Sequence, residues 1–247
     1  MSINIEKILG LLKDEREVLR DPVSRLIALA EHCSSHAVFT TSFGLEDQMI
    51  TDIIAREKLP FSIVTLDTGR FFPETYDVWQ RTEERYAIRI KAYYPHSERL
   101  TALVADQGIN GFYYSSQMRK ACCAIRKIEP LERATRGALA WITGLRRDQS
   151  KMRETVTFVL HDTDRNLLKV NPLYDLTRDA ISAYTKKRDV PINSLHQAGF
   201  LSIGCAPCTR PVQKDEDERS GRWWWEKESL KECGLHTKRE KDSSHFI

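Results

Sequence analysis

Short apolar, β-branched stretches alternate with amphipathic helical stretches along most of the chain, and this alternation limits the possible folds more than any other feature. Predicted strands span residues 37–41, 61–66, 88–94, 139–143, 156–160 and 167–170. Predicted helices span residues 5–20, 23–33, 46–58, 73–86, a stretch from 97, 123–136 and 177–188. This order predicts an α/β fold with a mostly parallel, twisted sheet and helices on both of its faces.

The chain after residue 203 differs in character from the rest. Three consecutive tryptophans stand there among Gly, Pro and charged residues, and the regular periodicity fades. We therefore expect residues 1–203 to form the α/β domain. Residues 204–247 are expected to form a mobile C-terminal tail that folds onto this domain or moves over it.

Charge and hydropathy exclude several classes of protein. Lys and Arg number 38 and Asp and Glu 35, and a net charge of +3 is smaller than the basic excess of a general polyanion binder. We therefore expect no nucleic-acid partner. No apolar run approaches the roughly 18 residues of a membrane helix, and the N-terminal residues lack the pattern of a secretion signal. These features predict a cytoplasmic protein without a membrane partner, whose 6 cysteines are not structural disulfides.

Polar residues follow three of the predicted strands, at the sheet edge where ligands bind in such folds. Hydroxyls and backbone amides before a helix favour an anion, an acid can accept ribose hydroxyls, and paired arginines can clamp an oxyanion. Each turn alone also fits an ordinary capped turn or solvated arginines. Together the three turns favour an adenylate-type nucleotide. The candidate binding residues are Thr41, Ser42, Gly44, Asp67, Arg146 and Arg147.

Two separate cysteine pairs, Cys122-Cys123 and Cys205-x-x-Cys208, are enough for a tetrathiolate metal site. Buried free thiols and a redox dithiol are the alternatives for the first and second pair. Adjacent residues on a helix point about 100° apart. That divergence favours two corners of an iron–sulfur cubane over one tetrahedral zinc ion.

Several basic residues stand near these cysteines or in the tail. Lys127 shares a helical face with Cys123 and would place a positive charge near the thiolates or a bound anion, unless it faces solvent. Arg219 and Arg222 precede the tryptophans and could close over an anionic substrate, although a charged linker with aromatic anchors also fits.

Cys233 is the remaining distinctive thiol, because Cys33 lies on the apolar face of a predicted helix and fits the protein core. Basic residues surround it within residues 231–239, and nearby cations lower the pKa of a thiol and so favour its nucleophilic form. An inert tail cysteine is the alternative. We favour a reactive thiol, since exposed free cysteines are uncommon without a task.

Taken together, these motifs resemble the sulfonucleotide reductases, in particular the iron–sulfur adenylyl-sulfate (APS) reductases of bacterial sulfate assimilation. The resemblance runs from about residue 37 to residue 239, and its fold is adenine nucleotide α-hydrolase-like. The motifs that carry it are Thr41-Ser-Phe-Gly-Leu-Glu-Asp47, Leu66-Asp-Thr-Gly69, Phe72-Pro-Glu-Thr-Tyr76, Cys122-Cys123, Thr143-Gly-Leu-Arg-Arg147, Cys205-x-x-Cys208, Arg222-Trp-Trp-Trp225 and Glu232-Cys-Gly-Leu-His236.

The resemblance implies a mechanism. Cys233 would attack the sulfur of APS and release AMP, and thioredoxin or glutaredoxin would then release sulfite from the S-sulfocysteine. The resemblance places Lys127 and His236 near the sulfate and phosphate, together with Arg219 and Arg222. It also implies a homodimer or homotetramer. A 4Fe–4S cluster would be bound by Cys122, Cys123, Cys205 and Cys208.

Three alternatives stay open. The near one is 3′-phospho-APS (PAPS) as substrate, alone or with APS, because nothing in the sequence decides the preference at the 3′ position. ATP pyrophosphatases that thiolate tRNA share this kind of sheet, but their Ser-Gly-Gly-x-Asp-Ser loop differs from residues 42–47 here. A metal-stabilised nucleotide sensor would leave Cys233 without a task.

Overall fold

The computed structural model describes residues 5–14 and 20–226. Its strands are β1 Ala37–Thr41, β2 Ser62–Leu66, β3 Lys91–Tyr93, β4 Ala140–Ile142, β5 Val159–Asp162 and β6 Leu167–Val170. They form one sheet in the order β3-β2-β1-β4-β6-β5. Neighbouring strands are parallel, apart from the antiparallel pair of β5 and β6. The predicted mostly parallel α/β sheet is confirmed.

Helices cover both faces of this sheet. They are α1 Ile5–Asp14, α2 Pro22–Cys33, α3 Leu45–Arg56, α4 Pro73–Tyr86, α5 Ser97–Gln107, α6 Ser116–Cys123, α7 Glu129–Ala134 and α8 Arg178–Lys187. Neighbouring strand residues point to opposite faces. Phe39 of β1 accordingly joins the large core with α1, α2, α3 and α8, whereas Val38 packs with Ala134 of α7 on the other face.

The largest difference from the predicted elements lies around the first cysteine pair. The helix predicted over residues 123–136 begins earlier, at Ser116, where the Ser115 hydroxyl accepts a hydrogen bond from the Met118 amide. It continues through a π-helical turn, Ala124–Ile128, before α7. Such wider turns interrupt the helical period and often occur at functional sites. Cys122 and Cys123 therefore end α6 instead of opening a helix.

Residues 204–226 pack against the carboxyl edge of the sheet. The Ala206 amide donates to the Arg70 carbonyl, and the Trp223 amide donates to the Cys208 carbonyl. Thr209 and Arg222 form an isolated antiparallel bridge. These contacts bring the second cysteine pair next to α6. In the part of the chain that the structure describes, no helix is long and apolar enough to cross a membrane.

Candidate active site

A cavity lies at the carboxyl ends of β1 and β4 and is partly closed by residues 201–222. The position agrees with the rule that ligands bind at this edge of α/β sheets. The structure brings six of the predicted residues into its wall: Thr41, Ser42, Gly44, Lys127, Arg219 and Arg222.

The turn after β1 has a specific hydrogen-bond pattern. The Thr41 hydroxyl accepts from the Phe43 amide at 3.0 Å. The amide and hydroxyl of Ser42 both donate to one carboxylate oxygen of Asp47, at 2.6 and 2.8 Å. Phe43 has a left-handed backbone (φ 60), held there by a buried ring that stacks on Trp79. The donors of Ser42 are thus engaged by a carboxylate, where the sequence predicted that they would face an anion.

Two buried carboxylates give this part of the wall an acidic character. Burial raises the pKa of Asp47 to about 6, and the neighbouring charge of Glu46 acts in the same direction. Burial alone would also raise the pKa of Glu46, but the Arg146 guanidinium and Gln149 outweigh it and hold that pKa below its ordinary value. Acceptors of this kind fit hydrogen-bond donors such as ribose hydroxyls better than they fit a phosphate.

The predicted binding residue Arg146 is fully buried and does not line the cavity. Its Nε donates to Glu46 and its Nη2 to Glu218, both at 2.8 Å, and its Nη1 contacts Asp148. Burial raises the pKa of Glu218, as does the nearby Glu46. The guanidinium therefore organises the carboxylates around the cavity, and each of its three nitrogens is engaged by a carboxylate.

Asp67 and Arg147 are also placed outside the wall of the cavity. Asp67 caps its own turn by accepting from the Gly69 amide at 2.8 Å, and it accepts from the Tyr76 hydroxyl at 3.0 Å. The Arg147 guanidinium lies 4.7 Å from the ring centroid of Tyr174 and donates to the carbonyl of residue 156. The structure thus gives Asp67 the capping role that was its alternative interpretation.

A second, smaller cavity contains all four cysteines of the two predicted pairs. Cys122 and Cys123 reach it from the end of α6, whereas Cys205 and Cys208 reach it from a single 3₁₀ turn. All four are free thiols. Residues separated by more than 80 positions in the chain therefore line the same small cavity.

The surroundings of these thiols shift their pKa values in different directions. Burial would raise the pKa of Cys205, but Lys127, the Thr68 hydroxyl at 3.3 Å and Arg222 outweigh it and hold that pKa below its ordinary value. Burial raises the pKa of Cys208 to about 11, with the charge of Cys205 adding to the effect. Of Cys122, Cys205 and Cys208, only Cys205 has a pKa that its cationic and hydroxyl neighbours hold below the ordinary value.

Lys127 lines both cavities, and so connects the thiols with the larger cavity. It belongs to the π-helical turn that directly follows Cys123. Neighbouring Arg126 donates to the Thr68 carbonyl at 2.5 Å and is mostly buried. Because the turn is wider than an α-helical one, Lys127 does not keep the simple four-residue relation to Cys123 that the sequence suggested.

Within residues 5–14 and 20–226, no three Cys, His, Asp or Glu side chains converge closely enough to hold one metal ion. The four thiols line one small cavity. Cysteine thiolates in fours are the usual ligands of iron–sulfur clusters, so these residues are of the type that such a cluster uses. Cys122 and Cys205 also face the cationic side chains of Arg126 and Lys127.

Several residues that line the larger cavity were not predicted from the sequence. Glu46 and Asp47 stand in a motif that carries the resemblance, but they were not among the candidate binding residues. The others come from segments without periodicity, so the sequence carried no signal for them. The missed wall residues with ionisable or amide side chains are Glu46, Asp47, Gln149, Arg153, His196 and Glu218. Two predicted catalytic residues, Cys233 and His236, lie outside the described residues.

The fold and its paired cavities define an α/β protein with a ligand site at its strand ends and a thiol cluster beside it. The chain belongs to the phosphoadenosine phosphosulfate reductase domain family, whose model matches residues 36–211. The family resemblance inferred from the motifs is thereby confirmed.

Relatives at high identity come from several bacteria. The chain is similar to the adenosine 5′-phosphosulfate reductase of Agrobacterium fabrum, with 50% identity over 200 residues that cover 81% of this chain and 77% of that protein. It is 47% identical over 230 residues to the adenosine 5′-phosphosulfate reductase of Sinorhizobium fredii, covering 91% and 92% of the two. The solved phosphoadenylyl-sulfate reductase of Candida auris, in complex with phosphate, matches at TM-score 0.69 and 26% identity, over 86% of this chain and 99% of that one.

Proposed function

We propose that this protein reduces adenylyl sulfate (APS) to sulfite and AMP in assimilatory sulfate reduction. The observation that carries the proposal is the position of Lys127, which lies in the wall shared by the strand-end cavity and the four-cysteine cavity. The names of relatives at 47–50% identity support APS as the substrate.

The two sides of the larger cavity suit the two halves of APS. Lys127 and Arg222 provide positive charge next to the thiols, and Arg219 is a further cation in the wall. Glu46 and Asp47 provide hydrogen-bond acceptors on the other side. We infer that the phosphosulfate lies against the three cations and the ribose against the two carboxylates, because each group then meets its complement.

Cys233 is the proposed nucleophile. Its sulfur forms a bond to the sulfate sulfur of APS while the sulfur–oxygen bond to the phosphate breaks, and the electron pair of that bond leaves with AMP. A thiolate that approaches a phosphosulfate meets a like charge, so cations at Lys127 and Arg222 lower the cost of the approach. His236 is proposed to lie near the same group.

The reductant is proposed to be a dithiol protein such as thioredoxin or glutaredoxin. One of its thiolates attacks the Cys233 sulfur and expels sulfite, and its second thiol resolves the mixed disulfide, which supplies two electrons in total. A nucleophile that meets two partners in turn suits a position beyond the packed residues 204–226. Such a reaction belongs in the reducing cytoplasm, and we propose a homo-oligomer, as the family resemblance implies.

We propose that Cys122, Cys123, Cys205 and Cys208 hold a 4Fe–4S cluster. When bound, the cluster would supply a fixed charge distribution beside Lys127 and would not need to exchange electrons with the substrate. Lys127 then faces the thiolates on one side and the substrate sulfate on the other. The ammonium group is thereby held in place for the approach of Cys233.

The covalent intermediate gives the direct test. Anaerobically purified protein, incubated with APS and no reductant, should release one AMP per active site and carry a sulfonate on the peptide that contains Cys233. Mass spectrometry of the digested protein locates the modification. In a second incubation with APS and thioredoxin, the unsubstituted protein should release sulfite, whereas the Cys233→Ser variant should release none although it binds AMP normally.

Normal sulfite release by Cys233→Ser, or turnover without a covalent species, would contradict the proposal. A parallel incubation with PAPS tests the alternative substrate, which the name of the Candida auris structure brings forward. We expect slower adduct formation with PAPS, because an added phosphate on the ribose side would face Glu46 and Asp47. Faster reaction with PAPS would reassign the substrate while leaving the chemistry unchanged.

A further inference from the structure

A buried ion pair holds the last residue that the structure describes. Glu226 accepts from Arg119 through both oxygens, at 2.9 Å from Nε and 2.7 Å from Nη2. Their side chains are 4% and 1% exposed. This two-point geometry fixes distance and direction together.

Arg119 connects this pair to the proposed active site. It lies on α6, and its guanidinium also hydrogen-bonds the Cys123 thiol one helical turn further on. The same helical segment continues into the turn that carries Lys127. One continuous piece of helix therefore holds both Glu226 and the proposed cation at the substrate sulfate.

The turn before Glu226 is constrained as well. Trp223 has a left-handed backbone (φ 44) although its ring is large and almost fully buried. That conformation is unfavourable for a bulky residue and persists only where the surroundings impose it. The guanidinium carbons of Arg119 and Arg222 lie 4.6 and 4.8 Å from its ring centroid, and the Glu226 amide donates to the Trp223 carbonyl at 2.8 Å.

We propose that the Arg119–Glu226 ion pair is a positioning device for the nucleophilic step. It fixes the point from which the chain runs to Cys233, relative to the helix that holds Lys127. Cys233 follows Glu226 by seven residues, which span roughly 25 Å at most. This inference rests on the proposed function, in which Cys233 must approach the substrate sulfur in line with the leaving group.

The size of the decrease in reaction rate distinguishes positioning from simple tethering. If Glu226 were released, the nearest fixed point would be Trp225, whose ring packs on Phe112 and Tyr113, eight residues before Cys233. Lengthening a flexible tether from seven to eight residues lowers the effective concentration of the thiol by less than about twofold. Loss of orientation by about 1 Å can slow a reaction on the order of 100-fold. A decrease well above twofold therefore indicates positioning.

The test uses substitutions at Glu226, since changes at Arg119 would also disturb the Cys123 thiol. Glu226→Asp keeps the charge but shortens the side chain by one methylene, and Glu226→Gln removes the charge. Glu216→Asp and Glu216→Gln are matched controls, because Glu216 also pairs through both oxygens with an arginine, Arg210, at 2.7 Å each. Single-turnover formation of the Cys233 sulfonate is measured anaerobically with APS. AMP affinity, iron content and the alkylation rate of Cys233 by iodoacetamide are measured alongside.

We expect both Glu226 variants to form the sulfonate at least tenfold more slowly, with the other three measurements unchanged. The Glu216 controls should react at the rate of the unsubstituted protein. A decrease of less than tenfold, or a decrease accompanied by loss of iron or of AMP affinity, would overturn the positioning role. If the unsubstituted protein forms no sulfonate on Cys233, the proposed function itself fails, and the two failures are thus distinguishable.

Discussion

The two cavities share a wall but are built in opposite ways. The carboxylate side of the larger cavity comes from the first turn of α3, which follows β1 after the short loop of residues 42–44. The four-cysteine cavity joins the end of one helix to a distant irregular segment, and many of its contacts are side chain to backbone or ring. The carboxylate side is fixed once the sheet forms, whereas the four-cysteine cavity depends on the correct packing of residues 204–226. Lys127 lines both cavities.

Lys127→Gln tests the residue that the two cavities share and should give the largest effect. The amide keeps most of the volume of the side chain but removes the positive charge from both cavities. We expect sulfonate formation on Cys233 to slow by 10² to 10³, about the loss seen when one stabilising donor is removed from a reacting group. AMP affinity should stay nearly unchanged, because AMP lacks the sulfate. Single-turnover mass spectrometry and equilibrium AMP binding provide the two readouts.

An equal loss of AMP affinity and reaction rate would contradict this assignment, since Lys127 would then act on the whole nucleotide. Lys120 offers a control on the preceding helix, because Lys120→Gln removes the same charge outside both cavities. That variant should react at the normal rate.

The contrast also explains what could be predicted from the sequence. The limits of β1 and β6 and the start of α4 followed from β-branched runs and from Pro73, and they agree with the structure. Local signals of this kind are strong because they act between neighbours in the chain. The pairing of Cys122 with Cys205 in one cavity was predicted from chemistry, since thiols in a reducing compartment need a task.

The remaining features needed three-dimensional information. Arg146 looked like an oxyanion clamp, yet it serves Glu46 and Glu218, the second of which lies 72 positions away. The π-helical turn that places Lys127 has no simple sequence pattern, because it is a local adjustment to packing. Long-range ion pairs and irregular turns therefore define the limit of sequence reasoning here.

Gly144→Ala tests the carboxylate side by itself. An added Cβ would lie 2.6 Å from a carboxylate oxygen of Asp47 and 3.0 Å from the Glu46 Cβ, so the start of α3 would have to shift. Such overpacking typically costs about 1–3 kcal/mol. We expect AMP affinity to fall about tenfold, which corresponds to about 1.4 kcal/mol, while iron content stays unchanged.

Gly10→Ala is the matched control, because a Cβ at Gly10 meets no atom within 4 Å. Its AMP affinity should equal that of the unsubstituted protein. Loss of iron from Gly144→Ala would show that the two cavities are not independent.

Asp47→Asn tests the carboxylate side through its pH dependence and should give the smallest effect. Burial raises the pKa of Asp47 from 3.8 to about 6, so between these values the folded state binds more protons than the unfolded state. Stability must then decrease as the pH rises through this window, and linkage gives a loss of about 1 kcal/mol between pH 5 and pH 7. Asn cannot ionise and still offers an oxygen to Ser42, so the variant should lack this part of the pH dependence. Urea unfolding at both pH values measures the difference, and an equal loss of stability in the variant and the unsubstituted protein would show that Asp47 is already ionised at pH 5.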